Sequence, residues 1–97
     1  MYKITNKENN KAFIGSNVKS LSKKETLDRH RRKKLNFKLY TDIQKQGVKG
    51  FKVEMLNQPN SLSDLEKMEE FYIRAYDTLE PNGYNTNYGV KIISNAQ

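Results

Sequence analysis

The chain has no cysteine and only one histidine, His30. The first absence excludes disulfides and thiolate metal sites, and the second excludes a His-rich zinc site. No apolar run approaches the length that crosses a bilayer, and the N-terminus lacks the apolar core of a signal peptide. The chain is therefore expected to be intracellular, with no membrane partner. A glycine-rich phosphate loop and a Gly-x-Ser-x-Gly elbow are also missing. Hydrophobic residues make up 35% of the 97, enough for one domain spanning 1–97 with a modest core. A mean hydropathy of -0.94 would by itself suit a disordered segment. Six tyrosines, four phenylalanines, only two prolines and clear apolar periodicity argue for a folded domain instead.

Charge is plentiful but unevenly placed. Nine cations lie between Lys19 and Lys38: Lys19, Lys23, Lys24, Arg29, Arg31, Arg32, Lys33, Lys34 and Lys38. Only Glu25 and Asp28 oppose them, so this window carries the whole net charge of +7. The rest of the chain is balanced. Such a window is the electrostatic footprint of a polyanion, usually nucleic acid, or else a solvated helix face.

Tyr2 and Ile4 alternate with Lys3 and Thr5 as in a short strand. Asn9-Asn10 suits a turn, and Ala12–Gly15 reads as the return strand, which makes residues 1–16 a hairpin. Residues 21–35 form a basic, weakly amphipathic helical region anchored by Leu21, Leu27 and Leu35. Leu39, Tyr40 and Ile43 predict a helix over 36–46, with Gly47 as its cap. Phe51, Val53 and Met55 share one face of a strand over 50–56. Ser63 and Glu66 form a capping-box pattern for a helix over 63–77. Pro81 and Gly83 end that helix, and Val90–Ser94 could add a strand in a closing segment over 78–97. The fold class is α/β (α+β): a small three-stranded, mainly antiparallel sheet flanked by three helices.

One residue breaks the pattern. Wound at about 100° per residue, Leu65–Tyr76 places Leu65, Met68, Phe71, Tyr72, Ile73, Ala75 and Tyr76 on one apolar arc. Glu69 falls inside that arc, about 40° from Leu65 and about 60° from Tyr72. It is a rim residue, a partner of Arg74, or a ligand for a hard cation that keeps most of its waters. Taken singly, Tyr2 reads as core, Lys11 as a surface lysine beside the turn, and Asn85 as a turn residue.

In series, four stretches resemble the GIY-YIG nuclease family. "MYKITNKENNKAFIGS" is similar to its opening hairpin, with Phe13-Ile14-Gly15 at the second motif. "YTDIQKQGVKGFKVEML" is similar to its second helix and third strand, "EEFYI" to the helix bearing its metal-binding glutamate, and "NGYN" to its closing loop. The resemblance implies a DNA endonuclease with one divalent ion, Mg²⁺ or Mn²⁺, held by Glu69. It implies that Tyr2 acts as general base or orients the attacking water, that Lys11 lowers the pKa of Tyr2, and that Asn85 supplies a supporting hydrogen bond. The family's first helix carries a phosphate-gripping arginine, often four residues before a histidine. Counted from Gly15, the matching place holds Lys23 or Lys24, while His30 stands six residues past Lys24.

Phe13 departs from the family by lacking a hydroxyl, and Lys lacks the bidentate fork of Arg. An alternative reading is a catalytically impaired copy that binds DNA or a protein. A further one is an unrelated basic α/β module. The chain is expected to hold the catalytic module alone, so that specificity comes from the basic helix, a homodimer or a protein partner. By analogy with the family, mobile elements and viruses are the expected setting.

Overall fold

The computed structural model describes residues 1–16 and 22–89. Lys19, Leu21 and the strand expected at 90–94 lie outside the described residues. Strand β1 (Tyr2–Asn6) is the centre of a three-stranded antiparallel sheet of order β2-β1-β3, with β2 at Ala12–Gly15 and β3 at Phe51–Met55. The register pairs Tyr2 with Gly15 on one side and with Met55 on the other. At the turn, Asn10 takes φ 64, a conformation asparagine tolerates.

Helix α1 (Lys23–Lys33) begins at a capping box in which Ser22 accepts from the Glu25 backbone and Glu25 accepts from that of Ser22. Cations fill its last turn, where the helix dipole favours them. Lys34 then closes it in the left-handed conformation, φ 49. Helix α2 (Phe37–Gln46) starts at Asn36, whose Oδ1 accepts from Leu39 N at 3.0 Å. It ends at Gly47, φ 79. A short 3-10 turn, Val48–Gly50, leads into β3.

Helix α3 (Leu62–Ala75) departs from the expected start. Its cap is Ser61, which accepts from Asp64 N at 3.1 Å, not Ser63. Both serines precede an acid by three residues, and the extended backbone of Ser61 decides between them.

The alternation of β1 sorts the core into two layers. Tyr2 and Ile4 pack with Phe51, with Leu27 of α1, with Leu39 and Ile43 of α2, and with Tyr84. Ile14 and Met1 pack on the other face with Ile73 of α3. The apolar arc of α3 is narrower than its sequence suggests. Ile73 and Glu69 are buried and Leu65, Met68 and Tyr72 half-buried, whereas Phe71, Ala75 and Tyr76 are exposed. Met55 is exposed too, at the end of edge strand β3. Among the described residues no helix is long and apolar enough to cross a membrane.

Candidate active site

Five segments converge beside the end of β1. Tyr2 projects from β1 toward α1, and its hydroxyl lies 2.7 Å from His30 Nε2, with both groups buried. The phenyl ring of Phe13 stands edge-on to His30 at a centroid distance of 5.1 Å and tilted to Tyr2 at 6.4 Å. Gly15 makes room for this arrangement. A Cβ there would sit 2.5 Å from the Tyr2 hydroxyl, so a side chain would push the phenol aside.

Burial pushes the Tyr2 phenol up to about 12, with Arg29 pulling it down and Glu69 pushing it further up. Both charges therefore reach the hydroxyl. Burial, helped by Arg29, lowers His30 to about 4, so the ring is neutral at neutral pH. His30 Nδ1 is buried with no hydrogen-bond partner. A proton on Nε2 leaves only an unused lone pair at Nδ1, whereas a proton on Nδ1 would strand a donor. His30 is accordingly assigned as donor to the Tyr2 oxygen, which keeps the phenolic O–H for another acceptor.

Glu69 is 8% exposed and lines an open hollow with Phe13, Leu35, Asn36, Asn85, Thr86, Asn87 and Gly89. Its burial agrees with its place inside the helical arc. Arg74, one partner considered for it, donates from Nε to Glu70 Oε2 at 3.0 Å and lays its guanidinium on the Tyr88 ring. Gly89 approaches the Glu69 carboxylate so closely that a Cβ would lie 2.8 Å from Oε1, and its φ of 109 also favours glycine. Asn85 holds the closing loop against β2. Its Nδ2 donates to Ile14 O at 3.0 Å, and its Oδ1 accepts from Ile14 N at 2.9 Å and from Thr78 Oγ1 at 2.7 Å.

Tyr2, His30 and Glu69 thus come together, with Asn85 as a brace. Lys11 and Lys24 do not join them. Lys11 follows the hairpin turn, at the far end of β1 from Tyr2, and lines a hollow with Phe37, Lys38 and Tyr84. Lys24 is exposed and shares another hollow with Lys23, Arg31 and Lys49. The residue four before His30 is Thr26. It is buried, and its hydroxyl donates to Ser22 O at 2.9 Å. The cation whose charge acts on both Tyr2 and His30 is Arg29, which lines a hollow with Ser16, Gln58 and Asn60. Counting back from His30, rather than forward from Gly15, would have found Thr26.

The remaining cations spread over α1 and α2. Arg31 reaches Gln44 Oε1 at 3.2 Å and Asp28 at 3.5 Å, and shares a hollow with Arg32 and Tyr40. Lys33 is exposed, Lys34 lies 5.4 Å over the Tyr40 ring, and Lys38 pairs with Glu80 at 3.0 Å.

The solved catalytic domain of homing endonuclease I-TevI is similar to this chain, with a TM-score of 0.67 and 27% identity, over 89% of this chain and 95% of that one. The chain has the GIY-YIG nuclease fold. No family model matches the sequence, and no curated protein does.

GIY-YIG nucleases generally use a divalent metal, and the Glu69 carboxylate is a donor that suits a hard ion. Among the described residues no group of three or more His, Cys, Asp or Glu could cage a metal. One carboxylate in an open, polar hollow with Asn85, Thr86 and Asn87 instead fits a hard divalent ion that retains several waters.

The buried pair has a stability signature. His30 in the unfolded chain titrates near 6.5, well above its folded value of about 4. Between those values the unfolded state binds the extra proton. The contribution is fully present above about pH 6.5 and is lost as pH falls toward 4, worth about 3 kcal/mol in all. Urea denaturation midpoints should drop over this window. Since His30 is the only histidine, its ring resonance is unambiguous. A midpoint near 6.5 would mean that the ring is solvated and the buried Tyr2–His30 pair is not formed.

Proposed function

We propose that the protein is a metal-dependent DNA endonuclease that hydrolyses phosphodiester bonds. The observation that carries this reading is the meeting of the Glu69 carboxylate and the Tyr2–His30 pair in a fold like the catalytic domain of a homing endonuclease. Glu69 holds one Mg²⁺ or Mn²⁺, which when bound supplies charge stabilisation to the phosphate and leaving oxygen. Tyr2 orients the attacking water through its free O–H and its second lone pair, with His30 fixing the angle of the phenol. The phenol is almost wholly protonated near neutral pH, which favours this role over that of a pre-ionised base. Arg29 supplies the cation for the scissile phosphate, which the buried Thr26 does not. Lys23, Arg31, Arg32, Lys33, Lys34 and Lys38, with Lys19, bind the DNA backbone.

A second reading, a DNA- or protein-binding copy with impaired catalysis, draws on Phe13 and Thr26, where a hydroxyl and a cation would otherwise face the site. Supercoiled plasmid separates the two. The endonuclease nicks it with Mg²⁺ or Mn²⁺ and not with EDTA. Intact plasmid at all metal concentrations, with DNA binding retained, would leave only the binding role. Affinity in EDTA should fall steeply between low and physiological salt, because cations on the window displace counterions. Replacing Arg29, Arg31 and Arg32 with alanine should flatten that slope and weaken binding to all sequences about equally.

A further inference from the structure

The corner between α1 and α2 carries two apolar side chains that the fold leaves in water. Leu35 is 49% exposed and Phe37 75% exposed. Between them Asn36 is buried and doubly tied: its Nδ2 donates to Tyr84 O at 2.6 Å, and its Oδ1 caps α2 at Leu39 N. On the other side of Leu35, the Lys34 N–H donates to His30 O at 2.9 Å. The backbone of the corner is therefore tied on both sides, while Leu35 stays about half exposed and Phe37 mostly so. Exposed apolar residues are common on a surface, here also Met55, Leu62, Phe71 and Tyr76, so what sets this pair apart is the charge around it.

Its surroundings specify the partner's chemistry. Leu35 lies on the rim of the hollow lined by Glu69, and Phe37 lines the next hollow with Lys11 and Lys38. Lys33 and Lys34 precede the corner, and Lys38 follows it. An apolar tip ringed by cations matches a stack of bases between two phosphate strands. A protein seated there would cover the mouth of the Glu69 hollow, where substrate must enter.

We propose that Leu35 and Phe37 form a wedge that enters the base stack of duplex DNA beside the phosphate presented to Glu69. This rests on the nuclease reading for the position of the cut and for the choice of DNA over a protein partner. Parting two base pairs is costly, and the cost is already met in DNA with a missing base. The bend that results would bring the scissile phosphate into the hollow rather than past its rim.

The test compares an intact 30-base-pair duplex with the same duplex lacking one central nucleotide, by fluorescence anisotropy in EDTA. The protein should bind the gapped duplex roughly tenfold more tightly. Leu35→Ala/Phe37→Ala should bind both duplexes equally, within about twofold, with an unchanged circular dichroism spectrum, since both side chains are exposed. Equal affinity of the unmodified protein for the two duplexes overturns the wedge, as does a preference that survives in the double variant. Plasmid nicking is scored separately. Nicking without a gap preference removes the wedge and keeps the nuclease. A gap preference that depends on Leu35 and Phe37, without nicking, keeps the wedge and removes the nuclease.

Discussion

Glu69→Gln should abolish both metal response and cleavage while the fold stays intact. Glutamine keeps the shape of the side chain and its place on α3, but offers a cation only a neutral oxygen. A ligand that binds the folded state at ten times its dissociation constant adds about 1.4 kcal/mol. For a domain of this size that raises the thermal midpoint by roughly 6–11 °C. The unsubstituted protein should show this rise in Mg²⁺ or Mn²⁺, and the glutamine variant none. Cleavage should fall at least about 1000-fold, since the developing charge loses its counterion. DNA affinity in EDTA should stay the same or increase, because one negative charge beside the phosphates has gone. An equal metal-induced shift in both proteins would show that the carboxylate is not the ligand, and would leave Glu69 a purely structural residue.

On the proposed role of Tyr2 in orienting the water, Tyr2→Phe should lower cleavage by about 100-fold or more. Only a hydroxyl is removed, but it is the one bonded to His30 Nε2 at 2.7 Å. The ring of His30 would then have no partner at either nitrogen, given that Nδ1 already lacks one. A stability loss of about 1–3 kcal/mol is expected on this account, so thermal stability alone does not separate a catalytic from a structural phenol. The rate has to be measured at a temperature where the variant is fully folded, alongside its affinity for DNA. A rate within about twofold of the parent at equal folded fraction would make the tyrosine a core residue whose hydroxyl serves only packing.

The sheet and helices were legible because short-range rules coincide with the long-range ones in most of this chain. Alternation in Tyr2–Asn6 and Phe51–Met55 marks strands, and Asn36 and Gly47 bracket α2. Glu69 was legible for a related reason: a charge in an apolar arc conflicts with its surroundings. The partner of Tyr2 was not legible. His30 is 28 residues away, and the register of α1 follows from its cap at Ser22, not from the distance to Gly15. The exposure of Phe71 and Ala75 was hidden as well. Periodicity gives the direction of a helical stripe, but its covered width depends on the sheet beneath it, and here edge strand β2 meets α3. Two serines with equivalent spacing made the start of α3 degenerate until the backbone angle at Ser61 chose between them.

The bracing of the closing loop also bears on the order in which the molecule is completed. Asn85 bonds to Ile14 across 71 residues, and Tyr84 receives the Asn6 amide across 78 and donates to Asp42. The hairpin, by contrast, closes over a handful of residues. Contacts so distant along the chain form late, since the intervening segment must be ordered before they repay its closure. The hollow beside Glu69 takes part of its wall from Asn85, Thr86, Asn87 and Gly89. During synthesis it therefore stays open on one side until the ribosome has released those residues. A nascent chain can build its sheet and its basic helices well before it can finish the wall of the hollow beside Glu69.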